Sequence, residues 1–200
     1  MAASRERPPM HWGEELRRVP AERRRRRRQL AIAATVAIAA SAPALTLAWK
    51  PPVLLVWNAS ASAPIGLYRV NPGEAAARGD MVVAWTPQPA RTLAAARRYV
   101  PANVPLVKRV AATSGDRVCA SGEAITINCR RTAVRRRNDA ARLPMPWWHG
   151  CRVLVPGEYL LLMDKPNSFD GRYFGITDNR DLVGRAVLIW AKPAKGSNDG

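Results

Sequence analysis

Six consecutive arginines, Arg23 to Arg28, run directly into 21 residues without a charge, Gln29 to Trp49. This junction limits what the chain can be more than any other feature. The uncharged stretch is mostly Ala with some Leu, Ile, Val and Thr. As a helix it is long enough to cross a hydrocarbon core of ~30 Å. Its hydrophobicity is modest, and Pro43 predicts a kink. A buried soluble helix seldom follows six arginines, however, and basic residues before a first apolar span hold that end in the cytoplasm. Residues 1–28, with ten Arg and four Glu, therefore read as a basic cytoplasmic arm. Residues 29–49 read as a transmembrane anchor, and residues 50–200 as an exported, periplasmic domain of a single-pass inner-membrane protein. Thr46-Leu47-Ala48 leaves a cleaved signal peptide open. The long span and bulky basic flank favour retention.

A net charge of +17 raises the question of nucleic acid, with residues 23–28 or 130–142 as the binding surface. A polybasic segment beside a span already has a role in orientation and in attracting anionic lipid. Export of residues 130–142 removes DNA as a partner for that loop. No nucleic-acid partner is expected, and inner-membrane lipid is.

Beyond Lys50 the chain is punctuated by turns at Asn71-Pro72-Gly73, Ser114-Gly115-Asp116 and Pro156-Gly157. Met81–Trp85, Pro105–Val110, Val153–Val155, Tyr159–Met163 and Ala186–Trp190 read as strands, and residues 91–99 as a helix. Residues 119–129 read as a hairpin and 130–142, with six Arg, as a loop, making a hairpin and basic loop insertion at about 119–150. The expected fold is mainly β, in antiparallel sheets with little helix, preceded by one N-terminal transmembrane helix. Cys119 and Cys129 flank the hairpin, so a bridge between them is easy and Cys151 is odd; pairing of Cys151 with either stays open. There is no CxxC, and His149 is the only histidine near a cysteine, so no metal is expected.

HExxH, GxGxxG and Walker motifs are absent, and with them support for a zinc or nucleotide cofactor. His11 lies across the expected span, so a Ser-His-Asp set has only His149 to use. Serine and lysine remain. Five of the 32 basic residues are Lys, and Lys, unlike Arg, can lose its proton when buried. Only Lys108 interrupts an apolar strand, sharing one face with Leu106 and Val110. That face is either solvated or apolar; in the second case desolvation lowers the amine pKa and makes a general base. Ser60-x-Ser62 is either a Ser/Ala linker or a nucleophile segment turned by Pro64 and Gly66.

Four blocks settle these alternatives together. They are Asn58-x-Ser60-x-Ser62-x-Pro64-x-Gly66-x-Tyr68; Val107-Lys108-Arg109-Val110-Ala111 through Gly115-Asp116; Pro146-Trp147 through Gly150-Cys151 with Gly157-Glu158-Tyr159-Leu160-Leu161-Leu162; and Ser168-Phe169-Asp170-x-Arg172-Tyr173-Phe174-Gly175. In this order they resemble the type I signal peptidase family (S26), and within it the conjugative-transfer peptidase TraF branch. The resemblance implies a signal-peptidase-like β fold and a membrane-anchored Ser–Lys endopeptidase, with Ser62 as nucleophile and Lys108 as general base. It implies that Ser60 helps hold the oxyanion, that Ser168 orients the lysine, and that Asp170 and Arg172 form a supporting ion pair. The implied substrate is a membrane-embedded pre-protein or pro-pilin, cut by hydrolysis or cyclised. Ser62 stands two residues before Pro64, where general signal peptidases have three, and Gly171 replaces the usual Ser. The competing reading is a non-catalytic, membrane-anchored assembly factor of a conjugation or type IV secretion apparatus.

Overall fold

The computed structural model describes residues 11–48 and 52–193, and side chains of the long helix over residues 23–41. The chain divides into two compact units, Met1–Pro51 and Pro52–Gly200. In the first, residues 11–28 of the arm and 29–48 of the expected span form one helix, α1 (His11–Ala48), which continues through Pro43. Among the described residues no helix is long and apolar enough to cross a membrane. Residues 11–22 of the arm and 42–48 of the expected span lie outside the described side chains, and residues 1–10, Trp49 and the tail with Lys195 lie outside the described residues altogether.

The second unit is mainly antiparallel β. Its strands are β1 (Leu55–Asn58), β2 (Gly66–Pro72), β3 (Met81–Ala84), β4 (Leu106–Ala112), β5 (Arg117–Ser121), β6 (Ala124–Ile127), β7 (Arg130–Val134), β8 (Gly150–Val153), β9 (Glu158–Leu162), β10 (Ile176–Asp178) and β11 (Leu182–Ala191). The helices are α2 (Gln88–Ala96) and α3 (Gly171–Phe174). A seven-stranded sheet runs β1-β2-β11-β3-β4-β9-β10, and a four-stranded sheet runs β7-β6-β5-β8.

The runs of Val, Ile and Leu seen in sequence become the strands buried on both faces. Val82, Val83 and Val110 have no exposed surface, and alternate residues of β3 enter different clusters: Val83 with Tyr68, Val107 and Met163, Val82 with Val110 and Leu161. A third cluster joins the sheets, Leu160 and Leu162 of β9 packing with Val118, Ile125 and Leu154. Burying apolar surface on both faces at ~25 cal/mol per Å² holds β3 and β4 in the middle of the sheet.

Two expectations change. Residues 130–142 begin with a strand, because β7 is an outer strand whose arginines face solvent while its backbone pairs with β6. The expected strand at Val153–Val155 lies earlier, at Gly150–Val153, where β8 pairs with β5. That register decides the disulfide. Cys119 lies directly opposite Cys151, and these two are bridged. Within the hairpin Cys119 faces Thr126 instead, while Cys129 occupies the exposed β6–β7 turn at φ +67°. The easy Cys119–Cys129 bridge is therefore not the one formed. The bond joins residues 32 positions apart and encloses the basic insertion.

Candidate active site

Ser60 and Ser62 sit in the turn between β1 and β2. Asn58 shapes this turn from the end of β1. Its amide nitrogen lies 2.9, 3.2 and 3.0 Å from the carbonyls of Ser60, Ala63 and Pro64, and its oxygen accepts the Ser60 N–H at 3.1 Å. The Tyr68 hydroxyl donates to the Pro64 carbonyl at 2.9 Å. These bonds present Ser62 outward while Ala63 enters the core beneath it.

Lys108 comes from the middle of β4 and is 3% exposed. Its solvated reading is excluded. The amine lies 3.3 Å from Ser62 Oγ and 2.7 Å from Ser168 Oγ. Burial lowers its pKa to about 8; the Asp170 carboxylate opposes that fall and the Arg172 guanidinium adds to it. At pH 7 about a tenth of such an amine is neutral, against ~0.03% of an ordinary lysine. A neutral amine in this place accepts the Ser62 proton and donates to Ser168.

Ser168 is held by the loop behind it. Asp170 and Arg172 are 0% and 2% exposed and meet in a two-pronged pair at 2.8 and 3.1 Å. Asp170 also accepts the Met163 N–H, and Arg172 donates to the carbonyls of Met163, Pro166 and Val134. The pair thus clamps the loop that carries Ser168 and ties it to the root of the basic insertion. Gly171 has its own reason here. A Cβ would lie 2.8 Å from the Leu161 carbonyl and 2.9 Å from Leu160 Cδ1, so no serine fits between Asp170 and Arg172 without a backbone shift.

One arrangement departs from expectation. Ser60 Oγ lies 3.0 Å from Ser62 Oγ and accepts the Ser62 N–H at 3.3 Å. The Ser60 hydroxyl, the expected oxyanion donor, therefore engages Ser62 itself in the free protein, and a substrate carbonyl must take the place of that contact.

All six residues singled out in the sequence converge: Ser60, Ser62, Lys108 and Ser168 line a cleft of about 330 Å³, with Asp170 and Arg172 behind it. Among the described residues no His/Cys/Asp/Glu group could hold a metal. The family described as "Signal peptidase, peptidase S26" matches residues 27–191. The chain belongs to the signal peptidase S26 family. Signal peptidase I of Buchnera aphidicola is 38% identical over 48 residues, 24% of this chain and only 15% of that protein's length. The crystal structure of a signal peptidase I from Enterococcus faecalis is 20% identical, covers 56% of this chain and 97% of its own, and superposes with a TM-score of 0.33. Membership rests on the sequence match, which takes in every block quoted above.

Within this S26 chain two positioning residues had no role assigned from sequence, although both stand in the first block. They are Asn58 and Tyr68. The available signal is an Asn just before a Ser-x-Ser turn, since short amides satisfy turn backbones. Asn58→Ala leaves buried carbonyls unpaired at ~1–3 kcal/mol. The expected result is a lower urea midpoint with unchanged slope, and kcat reduced more than KM, because the Ser62 turn loosens.

Proposed function

We propose that the chain is a membrane-anchored serine endopeptidase that removes signal or propeptides by a Ser62–Lys108 dyad. The observation carrying this reading is the buried amine of Lys108 held between the hydroxyls of Ser62 and Ser168. Neutral Lys108 takes the Ser62 proton as Oγ attacks the scissile carbonyl. The oxyanion is met by the Ser60 hydroxyl and the Ser62 N–H, donors typically worth ~3–4 kcal/mol each. The lysine then returns its proton to the leaving nitrogen as the C–N bond breaks, leaving an ester on Ser62. Water, or an amine of the substrate itself, attacks that ester. Water gives hydrolysis; an internal amine gives a ring.

A membrane setting is supported by two features. Residues 29–48 are uncharged and helical after the arginine run. At the β1–β2–β11 edge Leu54, Leu55, Trp57, Ile189 and Trp190 stay about half exposed, and Trp57 stacks on Trp190 with centroids 5.6 Å apart. Amphipathic tryptophans of this kind suit a lipid interface. Trp85, by contrast, is covered by Arg91. We place the catalytic unit on the periplasmic side. The Ser62-x-Pro64 spacing supports the TraF branch, and hence a conjugative pilin precursor as substrate. Mass spectrometry of a co-expressed pilin precursor, with wild-type and Ser62→Ala protein, tests this. The expected result is a truncated or ring-closed pilin with the first and full-length precursor with the second. Identical masses would remove the pilin assignment.

A further inference from the structure

Of the four blocks quoted from the sequence, the segment Pro146-Trp147 through Gly150-Cys151 takes no part in the mechanism. The structure places its tryptophans beside Arg135, a buried cation. Arg135 is 1% exposed and, among the described residues, has no acidic partner. Its Nε donates to the Gly122 carbonyl at 2.9 Å and its Nη1 to the Trp148 carbonyl at 2.7 Å, while Cζ stands 4.2 Å from the centre of the Trp147 ring. Nη2 is buried and has no partner among the described residues. A guanidinium kept dry without a counter-charge opposes folding. Its presence is accounted for by where it holds the chain. Arg135 joins the two ends of the segment 136–147, from which Arg136, Asn138, Asp139, Ala140 and Met145 line the Ser62–Lys108 cleft.

Both ends also grip the stretch that follows Ser168. The Trp148 indole N–H donates to the Gly171 carbonyl at 3.0 Å, and the ring packs on Gly175, where a Cβ would stand 3.5 Å from Trp148 Cδ1. At the other end the Val134 carbonyl accepts from Arg172 at 3.2 Å, and the Arg136 N–H donates to the Tyr173 hydroxyl at 3.1 Å. Tyr173 lies parallel to Phe169, the neighbour of Ser168, with ring centres 6.1 Å apart. The insertion is thus bonded to residues 171, 172 and 173 in turn, and Arg135 fixes the spacing of the two ends that make those bonds. We propose that Arg135, acting through Trp148, is a positioning residue that seats the Ser168 loop against the Lys108 amine. The inference rests on the Ser62–Lys108 reading and extends it to two side chains that do not line the cleft.

Trp148→Phe removes the bond to Gly171 and keeps most of the packing. Arg135→Lys keeps the charge and loses the two-pronged span. The full chain in neutral detergent is read in two ways. One is cleavage of a quenched peptide with Ala before the scissile bond. The other needs no turnover. The chain has five lysines, so lysine isotope-labelled at Cε gives five NMR resonances, and the one missing from Lys108→Arg belongs to Lys108. Each variant is expected to lower kcat about tenfold and to leave KM within about twofold, since misplacing a catalytic group costs rate more than binding. Each also moves the Lys108 titration upward from about 8, because burial is the main cause of the low value and a loosened loop admits water. The double variant is no worse than the poorer single one, as the two residues act in series. Arg78→Gln removes an ion pair with Asp116 that lies outside this chain of contacts, and leaves kcat and the Lys108 titration as in wild type. Unchanged kcat and an unchanged Lys108 titration in Trp148→Phe and Arg135→Lys overturn the inference and leave the peptidase reading intact. Additive losses in the double variant, or an equal loss in Arg78→Gln, also overturn it, since the residues then serve only stability. Absence of cleavage by wild type, with a Lys108 titration that still moves in both variants, overturns the peptidase reading alone.

Discussion

Lys108→Arg abolishes cleavage, lowering kcat/KM by at least about a thousandfold, the range expected for removing an acid–base group. Arginine keeps the positive charge and most of the length, but a guanidinium does not lose its proton in a protein. Ser62→Ala has an equal effect, and the double variant is no worse than either single one, because the two act as a unit. Wild-type kcat/KM rises with pH through a midpoint near 8, following the neutral amine. Activity that is flat from pH 5 to 9, or an active Lys108→Arg protein, would remove the mechanism. Stability rises with pH as well, but over a higher window. Below pH 8 folded and unfolded chains both hold the proton, and the folded chain bears the full desolvation cost of the charged amine. Between about 8 and 10.5 the unfolded chain binds a proton that the folded chain does not, so stability rises with pH. Lys108→Met takes away a buried charge. Against the loss of its bond to Ser168, it is expected to stabilise the unit by about 2 kcal/mol at pH 7. Scanning calorimetry should show Tm higher by about 4–8 °C in a protein that no longer cuts. A lower Tm would mean that Lys108 is held for packing rather than chemistry.

Asp170→Ala costs about 3–5 kcal/mol of folding free energy, the largest expected loss for one side chain here. It strands the Arg172 guanidinium, 2% exposed, without a counter-charge and leaves the Met163 N–H unpaired. Urea unfolding reads this as a lower midpoint at constant slope. Asp170→Leu combined with Arg172→Met should recover much of the loss, since no buried charge is then left alone. Additive effects of the two substitutions would contradict the clamp. Asp170→Asn carries a separate signature. The Asp170 carboxylate favours the charged form of Lys108 and Arg172 disfavours it. Removing the carboxylate charge therefore moves the activity midpoint to lower pH, a change that a purely structural role would not produce.

Much of the β unit is legible in the sequence because its central strands are apolar on both faces. Met81–Ala84, Leu106–Ala112 and Glu158–Leu162 each carry Val- or Leu-rich runs between turn residues. Strands with one wet face were harder to read. β7 is an arginine strand, and the start of β2 looks like the continuation of a Pro/Gly turn. Its Gly66 is required because a Cβ would lie 2.0 Å from the Trp190 carbonyl, a contact between residues 124 positions apart. The pairing of Cys119 with Cys151 was equally out of reach, since it depends on the register of β5 against β8.

Taken alone, the order of residues determined the local chemistry: which lysine interrupts an apolar strand, which serines stand before a proline turn, and where charge stops at Gln29. Those are properties of neighbours in the chain, and periodicity and residue type report them directly. The tertiary structure decided everything that depends on distance in space. It brought Ser168 to Lys108 across 60 positions and chose Ser62 over Ser60 as the hydroxyl facing the amine. The lowered pKa of Lys108 belongs to this second class. Desolvation is the work of surrounding strands and loops, and no stretch of sequence around residue 108 is long enough to supply it.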